Sequence, residues 1–342
     1  MKKRLCCTEC FDDRHLRSQT FPIHGAPKGN CDFCGSRDVL VLDPQELAPY
    51  FAGLVAIYEP AEEGPTLPEW LKDDWQLFSH PKMDAANTKD LLAEILDDGQ
   101  VVRGSFAPSP IYQSKGLLQW ETLRDEMMYR NRWFLEMKLD DERLRGLLSF
   151  LPATNLPKQW YRARIRSGDE VFEIGKMGAP PNRLASHGRA NPAGIPCLYL
   201  GSTPETAAAE VRPHTGETAC VADFTIPDIK AVDLRNPRKL VSPFMLSDAD
   251  AIGQLRADLP LLARLGEELT RPVLPSGAAI DYIPSQYLCE FIKTSGFDGV
   301  VYSSSVSDGI NLALFDPAKA AGGDVALYNI KKVSVEVAAI VD

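Results

Sequence analysis

Two cysteine pairs constrain this chain more than any other feature. Cys7-x-x-Cys10 and Cys31-Asp32-Phe33-Cys34 stand 20 residues apart, and tetrahedral zinc takes its four thiolates from two short turns of this kind. Gly35 follows the second pair, where a tight knuckle needs backbone that tolerates positive φ. Cys6 is an alternative to Cys7 within the first pair. Four thiolates leave no open coordination position, so the expected zinc site is structural and does no chemistry. His15 and His24 are read as solvent-facing loop residues. The other three of the eight cysteines, Cys197, Cys220 and Cys289, stand in apolar settings as small core residues.

The apolar run Val39–Leu42 closes the cysteine-rich segment, giving a zinc ribbon over residues 1–42. Asp43 then offers an N-cap with Pro44 behind it, and Leu47, Tyr50, Phe51 and Leu54 recur at helical spacing. Further helical patterns cover Pro68 to Phe78, Thr88 to Leu96 and Trp120 to Met137, so residues 43–150 form a mainly helical domain. After the Pro-bounded stretch 152–157 the pattern changes. Strands are expected at Gln159 to Ile165, Cys197 to Leu200, Cys220 to Ile226, Gly299 to Tyr302 and Leu312 to Phe315, and from Val325 onward, ending in the alternation Val333, Val335, Val337. Helices are expected at Pro204 to Val211, Ala249 to Glu268 and Ser285 to Ser295. The whole reads as α+β, with residues 151–342 as the last domain.

A formal charge of −10, from 37 Lys and Arg against 47 Asp and Glu, argues against a nucleic-acid partner. No apolar run approaches the ~20 residues of a membrane span. Met1-Lys2-Lys3-Arg4 is followed by Cys6-Cys7 rather than an apolar signal segment, so a cytoplasmic location is expected.

Several blocks of the second half carry a resemblance. They are Tyr161-Arg162-Ala163-Arg164; Gly188-Arg189-Ala190-Asn191-Pro192-Ala193-Gly194; Cys197-Leu198-Tyr199-Leu200; Ser202-Thr203-Pro204-Glu205-Thr206-Ala207-Ala208-Ala209-Glu210; and Gly296-Phe297-Asp298-Gly299 through Ser303-Ser304-Ser305, with Gly309-Ile310-Asn311 behind. In this order they resemble the RES domain family, and the segment before them resembles the zinc-containing domain found joined to HEPN and RES domains. The resemblance implies an ADP-ribosyltransferase-like fold and a toxin of a toxin–antitoxin pair that consumes NAD⁺. It would act as a phosphorylase with phosphate as acceptor, or as a glycohydrolase with water. Protein ADP-ribosylation is the enzyme alternative, and a non-catalytic NAD⁺-sensing protein is the other. The antitoxin is expected to be encoded separately. Some members of the family pair through the RES domain, so the resemblance admits a homodimer.

Carried onto these positions, the resemblance makes Arg162, Tyr199, Glu210 and Ser304 catalytic. Cleaving nicotinamide from ribose passes through an oxocarbenium-like state, which calls for a fixed carboxylate, and Glu210 is the candidate. Arg162 would grip phosphate; Arg164 shares its strand face and stays open as the alternative. Tyr199 would stack in the pocket, and Ser304, with Ser303 and Ser305 one position away, would hydrogen-bond ribose or phosphate. Arg162, Arg164, Arg189, Asn191, Tyr199 and Asn311 are the expected NAD⁺ contacts. His187 and His214 are read as incidental. The stretch from Asn236 to Asp281 is read as a helical excursion or lid added to the family pattern.

Overall fold

Cys6–Cys7 (β1) and Lys28–Gly29 (β2) pair antiparallel on either side of Val39–Leu42 (β3), so the cysteine-rich segment closes as a three-stranded ribbon. The computed structural model describes residues 3–274, 276–334, 337 and 339. By contacts the chain divides into two units: residues up to Gln119 together with Asn236–Ala263, and Trp120–Arg235 together with the residues from Arg264 on.

In the first unit Asp43 accepts a hydrogen bond from the Gln45 amide and opens a 3-10 turn, Pro44–Leu47, that runs into the helix Ala48–Val55. Helices Leu67–Trp75 and Ala85–Leu96 follow, the first closed at its start by a reciprocal Thr66/Glu69 capping box. The strands that flank these two helices in sequence are a feature that helical periodicity does not announce. Tyr58–Thr66 (β4) pairs antiparallel with Ser105–Pro108 (β5), and β4 is so largely exposed and acidic that it shows no apolar alternation. The unit's core is aromatic. The Phe11 ring centroid lies 6.3, 5.8 and 5.7 Å from those of Phe21, Phe51 and Phe78.

The excursion after Asn236 joins this core. Phe244 packs its ring 5.0 Å from Phe51, the Ser242 hydroxyl donates to the buried Asp13 carboxylate at 3.0 Å, and Arg256 pairs with Asp74 at 2.5 Å. Residues 236–263 thus fold with the N-terminal segment although they lie between strands of the second unit.

The second unit is built on one sheet. Its strands are Gln159–Ile165 (β6), Leu198–Gly201 (β7), Thr218–Thr225 (β8), Ala231–Asp233 (β9), Gly299–Ser303 (β10), Ile310–Leu314 (β11) and Ala321–Asn329 (β12). They lie in the order β12-β8-β6-β7-β11-β10-β9, antiparallel except for β9 beside β10. Alternate residues of β8 enter two separate apolar layers. Cys220, Ala222 and Phe224 join Trp160, Leu198, Leu200, Val301, Leu312 and Leu314, while Ala219 and Val221 join Ala163, Ala207 and Ala208. Each large side chain in the first layer contributes about 1.5–3 kcal/mol by leaving water. The second layer is made of small residues, which lets the helix Pro204–Glu210 lie close to β6 and β8. The helices Ala249–Thr270 and Ile283–Thr294 cover the expected stretches. The valine alternation expected at the C-terminus is not a strand at Val333 or Val337, and Val335 lies outside the described residues. Among the described residues no helix is long and apolar enough to cross a membrane.

Candidate functional site

β6 and β7 share a single residue pair, Tyr161 with Gly201, although each is fully paired with its other neighbour. Where the two strands part, a cleft of about 290 Å³ opens. Tyr161, Arg162 and Ala163 line it from β6, Tyr199 to Gly201 from β7, and Asn311 and Tyr302 from the next two strands.

Glu210 enters from the side, at the last position of its helix. Thr203 caps that helix by accepting from the Thr206 amide at 3.1 Å, with Pro204 in its first turn. A carboxylate gains nothing from the helix dipole at a C-terminal turn, and two donors from elsewhere hold it. Ser304 Oγ donates to Glu210 Oε1 at 2.7 Å and Asn311 Nδ2 donates to the same oxygen at 2.6 Å. Glu210 Oε2 is left uncommitted among the described residues. Of the three serines, Ser304 is the one joined to this carboxylate; Val306 in turn donates its amide to the Ser304 hydroxyl at 3.2 Å.

Arg162 faces the same space with its Nη1 buried and without a hydrogen-bond partner among the described residues. Burial, reinforced by the Arg164 charge, pulls its pKa down to about 10. It stays charged at neutral pH, and a buried unpaired guanidinium of this kind is costly unless an anion meets it. Arg164, on the same strand face, instead donates Nη2 to the Gly178 carbonyl at 3.3 Å and does not line the cleft.

Tyr199 contributes its ring to the cleft wall and its hydroxyl to the loop beyond it. The hydroxyl accepts from the Ala190 amide at 2.9 Å and donates to Asn191 Oδ1 at 2.7 Å. Burial pushes this phenol well above its ordinary value, with neighbouring Tyr302 adding to the effect. Asn191 spends its amide on the Ser186 and Pro192 carbonyls, so it shapes the loop rather than the cleft, which Arg189 reaches. The cleft also contains residues that sequence reasoning passed over: His187, read as incidental, together with Tyr161, Tyr282 and Tyr302. Tyr302 had a signal, since strand alternation puts it on the Ser304 side of β10. Tyr282 had none. His214 lies away from the cleft, its amide donating to Glu217 at 2.7 Å.

The cysteine cluster forms a second centre, in the first unit. Cys7, Cys10, Cys31 and Cys34 are all buried, with their sulfurs within 4.8 Å of one another. Neighbouring sulfurs lie 3.4 Å (Cys7–Cys34), 3.3 Å (Cys10–Cys31) and 4.0 Å (Cys7–Cys10) apart. Zn–S bonds of about 2.3 Å put tetrahedral sulfurs roughly 3.8 Å apart, so the donor set fits a metal ion. The Phe33 and Cys34 amides both donate to Cys31 Sγ at 3.4 Å, and Gly35 takes φ +71°, which is the knuckle that turn chemistry requires. Cys6 is turned out of the cluster and reaches the Leu42 carbonyl at 3.5 Å. The ring nitrogens of His24 meet Glu46 and Tyr50, at 3.2 Å each.

Comparison with known proteins bears on the second unit. No curated protein matches the sequence. Among solved structures, the crystal structure of the M. tuberculosis MbcT–MbcA toxin–antitoxin complex is similar at 12% identity and a TM-score of 0.31, covering 56% of this chain and 93% of that one. The RES domain model matches residues 159–333, a stretch that contains every residue of the cleft. That stretch is just over half of the 342 residues, and the chain belongs to the RES domain family.

Proposed function

We propose that the RES unit cleaves the nicotinamide–ribose bond of NAD⁺ and passes the ADP-ribosyl group to phosphate or water. The observation that carries this reading is the meeting in one cleft of Glu210, held by Ser304 and Asn311 with one oxygen uncommitted, and the half-buried Arg162, whose Nη1 is buried without a partner among the described residues. NAD⁺ presents matching chemistry: a diphosphate for the guanidinium and a ribose whose anomeric carbon becomes cationic as neutral nicotinamide departs with the bonding electron pair. A carboxylate fixed beside that carbon stabilises the cation electrostatically, and the acceptor oxygen then bonds to it, phosphate through an oxygen already anionic and water with loss of one proton to solvent. The flanking tyrosines supply flat faces for the ring systems.

The same reading extends to the rest of the chain. The fold of the unit is proposed to be ADP-ribosyltransferase-like, as its membership of the RES domain family implies. The cysteine cluster is proposed to hold structural zinc, since four sulfurs leave no position for substrate. A toxin of this kind needs a separately encoded antitoxin that closes the cleft. The test is incubation of the purified full chain with NAD⁺, with and without phosphate, followed by chromatography with mass detection. Phosphate-dependent release giving ADP-ribose phosphate identifies a phosphorylase and phosphate-independent ADP-ribose a glycohydrolase. No nicotinamide release by folded protein overturns the reading.

A further inference from the structure

Arg189 brings a second cation to the cleft, and nearly everything that fixes it comes from one stretch of chain. Its Nη1 donates to the Arg271 carbonyl at 2.8 Å, and its guanidinium lies 5.4 Å from the Tyr282 ring centroid. Its own carbonyl accepts from Ser285 Oγ at 2.6 Å. The preceding carbonyl, of Gly188, accepts from Gln286 Nε2 at 2.9 Å. Ser285 and Gln286 sit at the third and fourth positions of the helix Ile283–Thr294 and are buried, at 0% and 7% exposure.

A glutamine amide buried next to Ser285 on a helix that otherwise buries apolar residues, Leu288, Cys289 and Ile292 among them, is costly unless it is bonded. Packing alone would favour leucine there. What the amide does is hold one edge of the Gly188–Asn191 loop, whose other edge is held by the Tyr199 hydroxyl through Ala190 and Asn191. Gly188 is pinned between them, because a side chain at that position would collide with the Tyr199 hydroxyl and Asn191 Oδ1. The loop is therefore clamped from both sides, and the side that orients Arg189 is the helix side.

We infer that Gln286, assisted by Ser285, is a positioning residue that sets Arg189 at the cleft and thereby governs how tightly a diphosphate-bearing substrate is held. The inference rests on the NAD⁺ reading for its substrate but on the loop geometry for its mechanism. Arg189 meets the diphosphate in the ground state and the transition state alike, so loosening it weakens binding and leaves the chemical step alone.

The experiment uses the full chain with Gln286→Leu, which keeps the shape of the side chain and removes the donor, and Ser285→Ala as a second, milder variant. Both are checked for an unchanged far-UV spectrum and used only where folded. Gln286→Leu is expected to raise the KM for NAD⁺ about tenfold with kcat within about twofold of wild type, and to weaken binding of inorganic pyrophosphate, measured by calorimetry, by a similar factor. In an Arg189→Ala background the Gln286→Leu change is expected to do nothing further, because its effect passes through Arg189. Unchanged pyrophosphate affinity in Gln286→Leu, a loss confined to kcat, or additive losses in the double variant would each overturn the inference. Wild-type protein that binds pyrophosphate but releases no nicotinamide overturns the NAD⁺ reading instead, and the pyrophosphate comparison still decides the role of Gln286.

Discussion

Ser304 Oγ donates to Glu210 Oε1 at 2.7 Å across 94 positions of sequence. The bond joins the end of a short helix to the turn after β10, and with Asn311 on β11 it fixes a carboxylate that the helix alone would leave free to rotate.

If that fixation matters to the chemical step, its loss falls on kcat. Ser304→Ala and Asn311→Leu are each expected to lower kcat about 10- to 100-fold with the KM for NAD⁺ within about threefold. Steady-state nicotinamide release measures both. A rise in KM with unchanged kcat would place these residues in substrate binding instead.

Arg162 carries a stability cost that binding relieves. Its folded pKa, about 10, lies below the ordinary arginine value, with burial as the main cause. A basic group shifted down destabilises the folded state at every pH below its folded value, and the penalty fades as pH rises through about 10. Arg162→Met is therefore expected to stabilise the ligand-free chain at pH 7 by about 1–3 kcal/mol while abolishing activity. ADP-ribose affinity of the wild type should hold steady from pH 7 to about 9 and fall above about 10. Urea unfolding and calorimetry measure the two; a destabilised Arg162→Met protein with intact activity would contradict both.

The fully buried Glu268 is a structural hub of the same unit. Trp120 Nε1 donates to it at 3.1 Å, and Arg264, Arg124 and Arg271 stand 3.0, 3.5 and 3.7 Å away. Glu268→Ala removes the buried carboxylate that three arginines share, leaving the more exposed Glu121 and Glu267 to Arg124 and Arg264, and is expected to cost about 3–5 kcal/mol in urea unfolding. Glu268→Gln should cost less, since it keeps an acceptor for the indole. A loss under about 1 kcal/mol for Glu268→Ala would mean that the cluster contributes little.

Much of this was legible beforehand, and the reasons differ by element. β10 and β11 are short, mainly apolar runs, and the helix carrying Glu210 announces itself by Ser202-Thr203 ahead of Pro204. β4 was not legible, because an exposed acidic strand has no apolar period to detect. Arg162 and Arg164 share a strand face by period alone; only the Gly178 carbonyl, which engages Arg164, separates them. The membership of residues 236–263 in the first unit rests on Ser242, Phe244 and Arg256 meeting Asp13, Phe51 and Asp74. Those are tertiary contacts with no local pattern. Tyr282 reaches the cleft for the same kind of reason.

The cysteine cluster makes a separate prediction. Purified chain is expected to contain about one zinc ion, and Cys10→Ser or Cys31→Ser to lose it together with the thermal transition of the first unit. Elemental analysis paired with calorimetry checks this. Metal-free protein with unchanged melting would contradict a structural zinc role.

The central claim, that Glu210 stabilises the ribosyl cation in a cleft that grips the diphosphate through Arg162, is tested most directly by Glu210→Gln. Nicotinamide release from saturating NAD⁺ and calorimetric binding of ADP-ribose are measured on the same preparations. Release is predicted to fall about a thousandfold while ADP-ribose affinity stays within about threefold of wild type. Release at the wild-type rate, with Glu210→Gln folded and binding ADP-ribose, would contradict it.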